Sequence, residues 1–109
     1  MNIAAGFKNG RLTLGLSGEL DHHGAKGSMS EIDALIDRYL PRDAVIDLSA
    51  LTFMDSSGIA ILLRTHKRMQ ELGGRAWVES PAGQPLRVLD ASGIDRLIHI
   101  SIIAKEGKR

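Results

Sequence analysis

The stretch Ala44-Val45-Ile46-Asp47-Leu48-Ser49-Ala50-Leu51-Thr52-Phe53-Met54-Asp55-Ser56-Ser57-Gly58 decides the fold. Residues 44–48 are short, apolar and partly β-branched, which suits a central strand covered on both faces and is too short for a helix. A second apolar group, Leu51 to Met54, leads into the polar turn Asp55-Ser56-Ser57-Gly58. Beyond the turn Ile59, Leu62, Leu63, Met69 and Leu72 recur near helical period and are expected to face inward, and Gly73-Gly74 stops the run. The order is therefore strand, polar turn, helix.

Toward the C-terminus, Ala76-Trp77-Val78 reads as a further strand and Leu86, Val88 and Leu89 as a short helix capped near Gly93. Leu97 to Ile103 reads as a last strand. Toward the N-terminus, Ala25, Met29, Ile32, Leu35, Ile36 and Tyr39 form one helical stripe with Pro41 just past its end, and Gly24 and Gly27 weaken its first turn. Earlier still, Asn9-Gly10 separates two apolar runs, the signal for a hairpin with a type I′ turn. An opening β-hairpin followed by alternating strands and helices predicts an α/β domain with a mixed, mainly parallel sheet and one antiparallel edge. The expectation is one domain over residues 1–104 and a frayed tail over 105–109.

Composition narrows the function classes. A chain of 109 residues holds one domain, large enough for a core that needs no disulfides. With Lys+Arg 14 against Asp+Glu 13 and 4% aromatic residues, neither general attraction to polyanions nor base stacking is available, which argues against nucleic acid. The absence of cysteine removes disulfides, thiolate metal sites and a cysteine nucleophile, and suits a reducing compartment. The N-terminus lacks the basic and apolar regions of a signal peptide, and Asp47 and Asp55 interrupt the longest apolar region. The expectation is a cytoplasmic protein with no membrane partner.

Sites in open α/β sheets form beyond the carboxyl ends of the strands, where loops lead into helix N-termini. Two polar loops qualify: Glu19-Leu20-Asp21-His22-His23 and Asp55-Ser56-Ser57-Gly58. Asp and Ser before an apolar helix serve as N-caps, and a capping serine is also an accessible one. Ser56 could therefore accept a phosphoryl group of about −1.5 to −2 charges, stabilised by the helix dipole and free amides. A serine hydrolase fits poorly. Ser56 is flanked two positions away by Met54 and Gly58, which is not the nucleophile elbow, and no histidine is placed as a base.

Adjacent His22 and His23 point apart in extended chain and lack a third ligand at helical spacing, so they read as polar loop residues and no metal site is expected. His66 falls near the inward side of its helix, and His99 alternates with Ile98 and Ile100. No phosphate-binding loop occurs. Asp47 or Asp55 could be proposed as the phosphoacceptor of a receiver domain, but receivers open with a parallel βαβ unit and need a lysine at the last strand end, which is absent here. Arg64, Lys67, Arg68 and Glu71 share one helix face and read as an outward, solvated stripe or a partner-binding face.

Three stretches in order, Gly18-Glu19-Leu20-Asp21-His22-His23, Phe53-Met54-Asp55-Ser56-Ser57-Gly58 and Leu89-Asp90-Ala91-Ser92-Gly93-Ile94, resemble the signatures of STAS domains. More narrowly they resemble anti-sigma factor antagonists of the SpoIIAA and RsbV type. The D-S-[ST]-G turn is the most specific part. The resemblance implies a small α/β sandwich without enzymatic activity or cofactor that acts by partner switching. The dephosphorylated form binds an anti-sigma factor that is also a serine kinase and frees the sigma factor; phosphorylation ends the binding, and a metal-dependent serine phosphatase reverses it. Carried onto this chain, the resemblance makes Ser56 the acceptor. It also gives Asp55 and Gly58 the shaping of the turn, Ser57 the variable hydroxyl position, and Asp21, His22 and His23 the adjoining loop; from the basic stripe, Arg64 is counted with the partner-binding residues. Departures are Ala60, where relatives often carry a second glycine, and Gly24, where they carry a helix former or hydroxyl residue. The same turn would also suit an unmodified STAS subunit of a stressosome-like or lipid-transport assembly.

Overall fold

A computed structural model describes residues 1–102; the tail expected over 105–109 lies outside the described residues. The hairpin forms as read. Strand β1 (Asn2–Lys8) pairs antiparallel with β2 (Arg11–Leu20), and Asn9 and Gly10 both take positive φ, 53° and 80°, as a type I′ turn requires. Helix α1 (His22–Tyr39) follows, then β3 (Asp43–Met54), α2 (Ser56–Glu71), β4 (Arg75–Glu79), α3 (Gly83–Ser92), a single 3₁₀ turn (Ile94–Arg96) and β5 (Ile100–Ser101). The sheet order is β1-β2-β3-β4-β5, parallel from β2 onward, so the two apolar groups of the deciding stretch form one central strand. The antiparallel opening is not the parallel start of a receiver.

Each parallel crossover steps the same way along the sheet, and right-handed crossovers of one sense put every helix on one face. Burial agrees. Leu12, Leu14 and Leu16 of β2, Ala44, Ile46 and Leu48 of β3, and Ala76 and Val78 of β4 join one core with Ile32 and Ile36 of α1, Ile61, Leu62 and Met69 of α2, and Leu89 of α3. Residues 44–48 are covered on both faces, as expected, but by different means: helices cover Ala44, Ile46 and Leu48, whereas Val45, with Asp43 before it, is buried on the other face, 3% and 1% exposed, among the side chains of neighbouring strands.

Three readings are corrected. Leu63 and Leu72 are exposed rather than inward, because α2 turns Gly58, Ile61, Leu62, Thr65 and Met69 to the core and its neighbouring leucines fall off that face. Among the described residues the last strand is only Ile100–Ser101, and Ile103 lies outside them: Gly93 in the left-handed region (φ 73°) starts the 3₁₀ turn, Leu97 ends it 65% exposed, and pairing begins at Ile100. His22 and His23 are the first residues of α1 rather than loop residues, because Asp21 caps the helix ahead of them.

Candidate functional site

The site lies where β2 and β3 end together. Strand β3 carries two extra residues opposite Gly15–Glu19, which bend it and bring Leu20 level with Met54. The residues that follow, Asp21 and Asp55, thus stand side by side, each in extended conformation and each the N-cap of a helix. Asp21 Oδ1 accepts from the Gly24 amide at 3.1 Å. Asp55 does more: Oδ1 accepts from the Ser57 amide at 2.8 Å and Oδ2 from the His22 amide at 3.1 Å. One carboxylate thereby satisfies orphan donors at the N-termini of both α1 and α2. The bond from the Ser57 amide, more than the bond from His22, holds the Asp55 carboxyl below the ordinary carboxylate range.

This geometry alters the reading of Ser56. The cap of α2 is Asp55, not the serine, so Ser56 is the first helical residue, exposed, with its hydroxyl left out of the capping network. Ser57 is half-buried behind it. Gly58 is buried because the start of α2 sits directly on the strand ends: a Cβ there would lie 3.1 Å from Met54 Cβ and 3.2 Å from Leu20 Cδ2. The glycine of the turn is thus a packing requirement. His22 and His23 are exposed beside the cap with their rings 6.2 Å apart in an edge arrangement. Among the described residues no group of three His, Cys, Asp or Glu side chains is arranged to hold a metal.

Ser57 and Arg64 extend the site along α2. They line an open groove of about 230 Å³ between α1 and α2, with Ala25, Lys26, Met29, Ala60 and Ile61. The basic stripe is not freely solvated. Arg64 bonds Asp33 of α1 at 3.2 Å, and Arg68 bonds Asp33 at 3.1 Å and Asp37 at 2.7 Å. The bond to Asp37 is the chief reason the Arg68 charge is held still more firmly than usual.

One supporting residue had no signal in the sequence. Gln84, at the start of α3, accepts from the Met54 amide and donates to the Met54 carbonyl, both at 2.9 Å, fixing the backbone one residue before Asp55. Its partner is 30 residues away, and a glutamine between Gly83 and Pro85 reads only as loop. Phe53, 37% exposed at the end of β3, adds an apolar side chain close in sequence to the turn.

Comparison with known proteins is consistent with this arrangement. The sequence profile of the STAS domain matches residues 2–106. The chain is 36% identical over 100 residues to an anti-sigma F factor antagonist of Paenibacillus polymyxa, covering 92% of this chain and 86% of that protein. It is similar to the crystal structure of an anti-sigma factor antagonist from Mycobacterium paratuberculosis, with TM-score 0.84, 25% identity, and 96% and 88% of the two chains covered. Its fold also matches the Bacillus protein SpoIIAA at 23% identity. For the unphosphorylated form the TM-score is 0.79 with 96% and 90% covered; for the phosphorylated form it is 0.71 with 96% and 94% covered. No helix among the described residues is long and apolar enough to cross a membrane.

Proposed function

The chain belongs to the STAS domain family, and on that premise we propose that it is an anti-sigma factor antagonist working by partner switching. Antagonists of this family are binding regulators rather than enzymes. In its unphosphorylated form the protein binds an anti-sigma factor that is also a serine kinase, and the sigma factor is released. The kinase transfers the γ-phosphoryl group of ATP to Ser56 Oγ, the hydroxyl losing its proton and ADP leaving. A metal-dependent serine phosphatase hydrolyses the ester and restores the binding form.

The observation that carries this reading is the separation of roles at the turn. Asp55 caps the helix, so Ser56 is exposed and its modification breaks no capping bond. A phosphate there stands at a helix N-terminus, where dipole and amides tolerate an anion, so the domain stays folded. The same phosphate lies next to the ionised Asp55 and near Asp21. It converts a neutral spot of the partner-facing surface into a concentrated negative one, and repulsion with desolvation opposes binding. His22, His23, Asp21, Asp55 and the groove carrying Ser57 and Arg64 form the rest of that surface, with Gly58 holding α2 down beneath it.

Titration calorimetry against an anti-sigma factor serine kinase from the same organism tests the reading. Ser56→Ala should bind like the parent, and Ser56→Asp should bind roughly tenfold or more weakly. Incubation with kinase and ATP should add one phosphate, located on Ser56 by peptide mass analysis. Equal binding by the Ala and Asp forms, or labelling at another residue, would overturn it.

A further inference from the structure

The sheet face away from the helices carries an ordered arrangement of its own. Strand register places Lys8, Arg11, Asp43 and Arg75 in one row across β1 to β4. The next row is Gly6, Thr13, Val45 and Trp77. Asp43, 1% exposed, holds three guanidiniums: Arg11 and Arg75 at 3.3 Å and Arg42 at 3.6 Å. Arg11 and Arg75 also stack on Trp77, 5.0 and 5.6 Å from the ring. The arginines are therefore held in place while their side chains remain 49%, 67% and 73% exposed for Arg11, Arg42 and Arg75. Lys8 has no ion-pair partner among the described residues. Three guanidiniums surround one buried carboxylate and Lys8 continues the row, on a chain whose net charge is only +1, so positive charge is concentrated here.

We infer that this row is a docking surface for an acidic segment of a protein partner, separate from the surface at Ser56. Charge and length both fit. Strands lie about 4.8 Å apart, so the row from β1 to β4 runs about 14 Å, and three acidic side chains at alternate positions of an extended segment span about 13 Å. Gly6 and Thr13 leave an open depression beside the row, bordered by Lys8, Arg11 and Arg42. A nucleic acid fits less well, because the one tryptophan is already stacked with guanidiniums and offers no free platform for a base. Arg11, Asp43 and Arg75 begin β2, β3 and β4, whereas Ser56 follows the end of β3, so the two surfaces lie roughly 35 Å apart. Occupancy of the basic row is then independent of the phosphorylation state of Ser56.

The probe is a fluorescein-labelled octaglutamate peptide, followed by anisotropy at low salt, with labelled single-stranded DNA of eight nucleotides in parallel. Octaglutamate should bind saturably. Lys8→Gln, which leaves the Asp43 cluster intact, should weaken it roughly threefold, and Lys8→Gln with Arg75→Gln roughly tenfold. Ser56→Asp should leave it unchanged, so failure here and failure of the Ser56 switch are separate results. Absence of saturable binding, an equal loss from Lys26→Gln with Lys67→Gln on the helical face, loss in Ser56→Asp, or tighter binding of the DNA would each overturn the assignment.

Discussion

At residue scale the site depends on two residues, Gly58 and Asp55, that do different work from Ser56 between them. Gly58 lets α2 seat on β2 and β3. In Gly58→Ala the new methyl meets the swinging end of Met54, but also Met54 Cβ, which β3 holds fixed, and Leu20 Cδ2 of a fully buried side chain. The better helix propensity of alanine, at most about 1 kcal/mol, does not offset overpacking, and urea unfolding should show a net loss of about 1 to 2 kcal/mol. An unchanged midpoint would mean that α2 can lift from the strands without cost. Asp55 is tested by pH. Its carboxyl is held down in the folded state, so the stability it contributes is complete above the unfolded pKa near 4 and disappears as pH falls through the folded value. The stability gap between parent and Asp55→Asn should therefore be widest at neutral pH and narrow below about pH 4 in urea titrations. A gap constant from pH 7 to pH 3 would contradict the double-cap role.

At the scale of elements, α1 and α2 are joined by the groove and by a ladder of charge. Arg68 bridges Asp33 and Asp37 and is 25% exposed, whereas Arg64 reaches Asp33 alone and is 62% exposed. Arg68→Ala should lower stability by about 1 kcal/mol, Arg64→Ala by less, and both differences should shrink in 1 M NaCl when thermal unfolding is compared. A salt-independent loss at Arg68 would point to packing of its stem instead. This ladder also marks what the sequence could and could not reveal. The Asn9-Gly10 hairpin, the Asp55–Gly58 turn and the helical stripe of α1 were legible because each depends on residues within a few positions. The partners of Arg64 and Arg68 are 31 to 35 residues away, so the stripe read as solvated. Gln84 on Met54 was hidden for the same reason. Leu63 and Leu72 misled because an apolar residue next to a buried one satisfies a loose helical period. The last strand was overread because its apolar run continues through a 3₁₀ turn that Gly93 initiates.

For the whole molecule, the consequence that no local pattern contained is the one-sided helical layer. Crossovers that all step one way leave one sheet face without helices, and the buried Asp43 with its arginines makes that face an ordered surface. Net charge joins the two ends. A chain at +1 that gains about −1.5 to −2 on Ser56 changes sign at pH 7, although the basic row is untouched. Phosphorylated protein should therefore reverse its direction in native electrophoresis at neutral pH. Its thermal midpoint should move by no more than about 3 °C, because the favourable helix-terminus interaction and repulsion from Asp55 are each of order 1 kcal/mol and opposed. The two measurements together separate mechanisms. A reversed migration with unchanged helix content by circular dichroism means that the switch acts on association alone. A reversed migration with a large fall in midpoint would mean that the phosphate pulls Asp55 from the amides of Ser57 and His22, freeing both helix ends, and that the partner is lost because its binding surface melts.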